Sequence, residues 1–204
     1  MDHEQLWQRL SEATPEQTCD RTGMDYDPER GWFILPVLDW TLAVEPAATQ
    51  IVAIDRESCQ LQDPPHFALQ VAAAAYLLAV DDQAPSLEWI SPLELPAGDV
   101  FFRGPHAVPT EGLEQTFGDS VERFRRAAEA LGGAPLNYAD AAYRFAVFPR
   151  FPVAVLLWAA DDEFPARVRF LVDAGMARQF PLDALLGMMG LTADRLICLD
   201  PGPV

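Results

Sequence analysis

The chain contains no lysine: each of its 14 basic residues is an arginine. This excludes a lysine Schiff base, a pyridoxal-phosphate anchor and the lysine of a phosphate-binding P-loop. Arginine-based anion binding stays open, because guanidinium forks suit carboxylates and phosphates. Cysteine is scarce. Cys19, Cys59 and Cys198 lie far apart and form no C-x-x-C pair, so zinc-ribbon, iron–sulfur and thioredoxin motifs are absent. A sparse, odd count fits a reducing compartment, and Cys198 in "DRLICL" reads as a buried core thiol. The G-x-S-x-G nucleophile elbow and the G-x-G-x-x-G nucleotide fingerprint are both missing. Long apolar runs are missing too. The longest, "FALQVAAAAYLLAV" (67–80), contains Gln70 and is too short to span a bilayer. The start, "MDHEQLWQRLSEA", is charged and amphipathic, without the core of a signal peptide. Positive charge is in deficit, with a formal net charge of -17. Phosphate backbones and anionic membrane surfaces are repelled by such a chain, so neither nucleic acid nor membrane is an expected partner. The expectation is a soluble, acidic, cytoplasmic protein.

What is present is an apolar half of the composition spread over 204 residues, enough for a real core. Residues 4–13 predict a helix with Leu6, Trp7 and Leu10 on one face. Thr14, Pro15 and Gln17 read as a cap, a first-turn proline and a capping-box partner for a short helix ending near Gly23. "GWFILPVLDWTLAVE" and "QIVAID" predict a small antiparallel meander. Asp63 and Pro64 cap and start a helix over 66–80 that is apolar nearly all round and therefore central. It runs into Asp81 and Asp82, acids that are unfavourable at a helix C-terminus. Residues 88–104 read as two short strands around a turn at Gly98 and Asp99. The clearest helix covers 119–131, with Asp119 as cap and Gly132 or Gly133 as stop. Three strands follow, over 142–148, 153–158 and 166–172, with the middle one apolar on both faces. One or two short helices close the chain. The order predicts an α+β fold with a mainly antiparallel sheet, a C-terminal three-stranded meander, a buried apolar helix and flanking helices. Residues 1–204 are taken as one domain, with 1–60 separable as an N-terminal lobe.

The candidate sites are few. Asp161, Asp162 and Glu163 lie between two predicted strands. They could hold a hard cation, with Asp162 and Glu163 as the metal ligands, or share acid–base work. The alternative is a solvated turn, with Phe164 and Pro165 anchoring it into the next strand. Asp173 belongs to the opposite end of the hairpin, so a joint site with Asp162 is disfavoured by geometry. Arg103 and His106, in "FFRGPHAVPT", could bind an anion or move a proton, against the alternative of an ordered surface loop. His66 reads as structural and His3 as a surface residue. Trp40, Trp89 and Trp158 read first as core and second as stacking platforms, with Trp158 next to the acidic turn.

A set of positions in order carries a family resemblance. It comprises Tyr76-Leu77-Leu78, Trp89, Leu95-Pro96-Ala97-Gly98, Phe117-Gly118-Asp119, Gly132-Gly133, Pro149 to Pro152, and "LLWAADDEFPARVRFLVDA". From about Leu6 to Leu186 the chain resembles an uncharacterised prokaryotic family of domains of unknown function. The resemblance implies a stand-alone relative of domains joined to iron–sulfur cluster modules in anaerobic one-carbon and corrinoid settings. It implies an iron–sulfur or corrinoid-related partner and assigns no catalytic residue.

Two functional expectations result. The first is a soluble non-catalytic binding or accessory domain, acting with a redox or cofactor protein and needing no cofactor of its own. The second is a small metal-assisted hydrolase using a divalent ion on the 161–163 turn together with His106. The balance leans away from an enzyme. A third reading, a structural interaction protein, requires an exposed apolar patch.

Overall fold

The computed structural model describes residues 3–55 and 67–202. The expected Asp63–Pro64 cap, His66 and Cys59 lie outside the described residues. Helices α1 (His3–Ser11) and α2 (Pro15–Thr22) come first. The second has Pro15 in its first turn and stops at Gly23, whose φ of 72° is left-handed. Thr14 occupies the cap position without the side-chain hydrogen bond expected of it. Strands β1 (Asp25–Asp27), β2 (Trp32–Val37), β3 (Trp40–Glu45) and β4 (Gln50–Asp55) then form a four-stranded antiparallel meander in sequence order.

Helix α3 (Phe67–Ala79) is the buried central helix, packed against α1 and against the last helix, α8 (Leu182–Cys198). Its acidic exit is balanced from outside. Arg21 of α2 donates to the free carbonyls of Leu77 (2.6 Å) and Val80, and Arg150 donates to the carbonyl of Asp82. Two guanidinium groups thus supply the cation that a helix C-terminus favours. Tyr76 fixes this junction. Fully buried and stacked on Phe148, it donates to the Thr22 carbonyl at 3.0 Å and accepts from the Arg150 N–H at 3.1 Å. Burial is the main reason its phenol is pushed up to about 12.

Residues 88–104 depart from the expected hairpin. Only Trp89–Ile90 is strand (β5). Ser91 and Glu94 close a capping box on a 3-10 turn over Pro92–Glu94, and a short helix, α4 (Gly98–Phe101), follows. Gly98 is required there, since a Cβ would lie 2.2 Å from the Pro92 carbonyl oxygen. Helix α5 (Glu111–Phe117) was not foreseen, and helix α6 (Val121–Ala130) is capped by Ser120 rather than Asp119. The closing helices, α7 (Ala174–Ala177) and α8, include one of 17 residues, longer than expected.

The second sheet has the order β5-β9-β8-β7-β6, all antiparallel, with β6 (Ala134–Pro135), β7 (Ala141–Phe148), β8 (Phe151–Trp158) and β9 (Arg167–Asp173). The expected three-stranded meander is its centre. Tyr143, Phe145, Val147, Val153, Val155, Leu157, Val168 and Phe170 point inward and join one core with α3, α5, α6 and α8. The two sheets meet where the Leu38 N–H donates to the Val147 carbonyl at 3.1 Å. Next to it, Arg195 of α8 reaches the β2–β3 turn, forms a two-point ion pair with Asp39 and lies 4.6 Å over the Trp40 ring. Arg195 is only 2% exposed, so the pair acts as an internal clamp between the last helix and the first sheet. Cys198 is exposed at the end of α8, not buried in the core as expected, while Cys19 is free.

Candidate functional site

Strand alternation gives the five-stranded sheet a second, outward face. On β7 it carries Ala142, Arg144 and Ala146; on β8, Pro152, Ala154, Leu156 and Trp158; on β9, Arg167, Arg169 and Leu171. Ala142, Ala154 and Leu156 are buried there, packed with Trp89, Leu136, Trp158 and Leu171. Among the described residues no helical residue joins this cluster. The middle strand is therefore shielded on both sides, as expected, but its outer cover is made of neighbouring side chains rather than a second layer.

The exposed charged side chains on this face of the strands are all arginines. Arg144 faces Ala154, Arg169 faces Leu156, and Arg167 faces Trp158 across the pairs. The one carboxylate in register with them is Asp173, and it is fully engaged. Completely buried, it accepts from the Gly175 and Met176 N–H groups through Oδ1, and from Ser86 Oγ and the Leu87 N–H through Oδ2. It caps α7 and ties down the 81–88 segment, and it has no role at the acidic turn. Arg169 lies 5.8 Å from the Trp158 ring centroid, a cation–π contact, and no hydrogen bond or ion pair within the described residues engages Arg144 or Arg167. Among the described residues, none of the three arginines has a carboxylate partner, in a chain of 31 acids.

The acidic turn lies at one end of this face, after Trp158. Asp161 Oδ1 accepts from the N–H groups of Glu163 (2.8 Å) and Phe164 (2.7 Å). These two bonds hold its carboxyl below the usual carboxylate range. Asp162 and Glu163 are exposed. Among the described residues no group of three or more His, Cys, Asp or Glu could hold a metal ion. The expected aromatic anchor is not one, because Phe164 is 66% exposed. Backbone contacts hold the turn instead. The Ala160 N–H donates to the Gly118 carbonyl at 2.9 Å, and the Asp161 N–H donates to the Phe164 carbonyl at 3.0 Å. Gly118 allows this approach, since a Cβ there would meet Ala166 Cβ at 2.5 Å.

Arg103 and His106 are both exposed beside a 3-10 turn, with the imidazole stacked on Phe101 at 4.8 Å. No contact joins either to the acidic turn. Of the residues singled out from the sequence, Trp89, Trp158, Asp173 and the turn 161–163 belong to the outward sheet face and its ends. Arg144 escaped notice, although its place in the alternating run "AAYRFAVF" marks it as outward.

A family model described as a domain of unknown function (DUF3786) matches residues 14–195. No curated protein matches the chain, and no solved structure does.

Proposed function

This chain belongs to the DUF3786 family of domains of unknown function, and from that premise we propose that it is a non-catalytic binding domain whose outward sheet face receives an acidic protein segment. The observation that carries the reading is the charge pattern. In a chain of net charge -17, the sole ionised groups among the described residues that face outward from the middle of the sheet are Arg144, Arg167 and Arg169. They flank a floor of buried Ala154 and Leu156, on which Leu171 and Trp158 stand half-exposed. A segment that alternates acidic and apolar residues matches both parts, with guanidinium forks for its carboxylates and the half-exposed Leu171 and Trp158 for its apolar side chains. The surrounding negative charge disfavours a nucleic acid strand on the same platform. An accessory role beside a redox or cofactor protein with an acidic docking segment fits this reading.

The test is selection of random short peptides on the immobilised full chain, with Arg144→Glu/Arg169→Glu as the counter-target and circular dichroism to check its fold. Peptides that interleave Asp or Glu with apolar residues should be enriched on the native chain and lost on the variant. Equal enrichment on both, enrichment of basic peptides, or preferential retention of single-stranded RNA overturns the reading.

A further inference from the structure

Where the outward face meets the β7–β8 turn it deepens into an open cleft of about 250 Å³, walled by Pro85, Ala134, Ala146, Pro149 and Pro152, with Arg144 as its one charged residue. Proline and alanine walls have few rotamers, so the cleft is formed before any ligand arrives and little ordering accompanies binding. The Arg144 guanidinium has no acceptor among the described residues. A planar fork beside a small apolar recess suits a carboxylate attached to an apolar group, which is the chemistry of a chain's C-terminal residue.

The cleft also marks one end of a track. Pro152 lines it, and the same strand runs on beneath its flanking side chains, over buried Ala154 and Leu156, to the half-exposed Trp158. Strand rise puts Trp158 roughly 20 Å from Pro152, the reach of about six extended residues. Arg144 sits beside the start of this track and Arg169 beside its middle, on opposite flanks of β8.

Resting on the proposed function above, we infer that the Arg144 cleft binds the C-terminal carboxylate of the partner segment, so that the segment docks by its terminus and lies toward Trp158. The Arg144 fork takes the carboxylate, and the recess of Pro85, Pro149 and Pro152 takes the last side chain. An internal acidic stretch would leave this recess unused.

The experiment titrates the full chain with an alternating Glu–Leu hexapeptide ending in Leu, once as the free acid and once as the C-terminal amide, by calorimetry. The acid should bind about tenfold tighter than the amide, the size of one charge-assisted hydrogen-bonded pair. Arg144→Gln should bring acid and amide within about twofold of each other, whereas Arg169→Gln should weaken both alike. If acid and amide bind the native chain equally, the terminal site is wrong while the docking face survives. If neither binds, the docking face itself fails. Isovalerate binding as tightly as the acid peptide overturns the inference in favour of a small-molecule carboxylate site.

Discussion

The two faces of the five-stranded sheet come from the same residues in alternation, yet they are built from different chemistry. Inward, Tyr143, Phe145, Val147, Val153, Val155 and Phe170 are large and fully packed. Outward, Ala142, Ala146 and Ala154 are small, and the long side chains are Arg144, Arg167, Arg169 and Trp158. Large aromatic and branched side chains on a helix-covered face serve stability. Alanines beneath arginines and a tryptophan leave a shallow floor with a charged rim, the surface on which the proposed docking rests. Neighbours in sequence should therefore separate cleanly by phenotype.

The sharpest separation is between residues 145 and 144. Phe145→Ala should destabilise the fold by about 3–5 kcal/mol in chemical denaturation. Arg144→Ala should stay within about 0.5 kcal/mol. Equal effects would break the division between the faces. Next in size is the clamp outside the sheet. Asp39→Ala leaves Arg195 buried without its carboxylate and should destabilise by about 3 kcal/mol. A double-mutant cycle with Arg195→Met should recover part of that loss. A negligible single effect would show the clamp to be idle.

Gly133→Ala probes the inner face from its rim. A Cβ there would meet Phe145 Cε1 at 2.6 Å and the Ala128 carbonyl oxygen at 2.8 Å. The expected loss is about 1–3 kcal/mol, read by thermal and denaturant unfolding together.

The sheet's meander was legible in the sequence because a period of two and an unbroken apolar middle strand are local signals. β7, β8 and β9 lie within a few residues of the expected boundaries. The buried helix α3 was equally legible from its apolar circumference. What could not be read was long-range. The acids after α3 looked like a local conflict because Arg21 and Arg150 approach from distant segments. Phe164 looked like an anchor because Gly118, which accepts the turn's backbone, is more than 40 residues away. The candidate site was half visible. Arg167 and Arg169 alternate with Val168 and Phe170, which marks them as outward, but the pairing that sets them around Leu156 and opposite Arg144 exists only once the strands are in register.

Smaller effects refine the picture. Tyr76 has a folded-state pKa of about 12 against an ordinary value of 10.0. Because the folded value is the higher, its contribution to stability is complete below the ordinary value and lost as pH rises from there toward about 12. Alkaline denaturation should therefore be less steep in Tyr76→Phe, though not absent, since Tyr143 is also shifted up. An unchanged slope would remove Tyr76 as the source. The least effect is expected at the acidic turn, where Phe164→Ala should change stability by less than about 0.5 kcal/mol. A large loss there would restore the anchoring role that its exposure contradicts.

The most direct trial of the docking face is a residue-resolved NMR map of the full chain titrated with the alternating Glu–Leu acid peptide. Perturbed amides should cluster over 144–146, 152–158 and 167–171, with the indole of Trp158 among the strongest. Perturbations gathered instead around Arg103 and His106, or around Asp161 to Glu163 alone, would contradict the docking face.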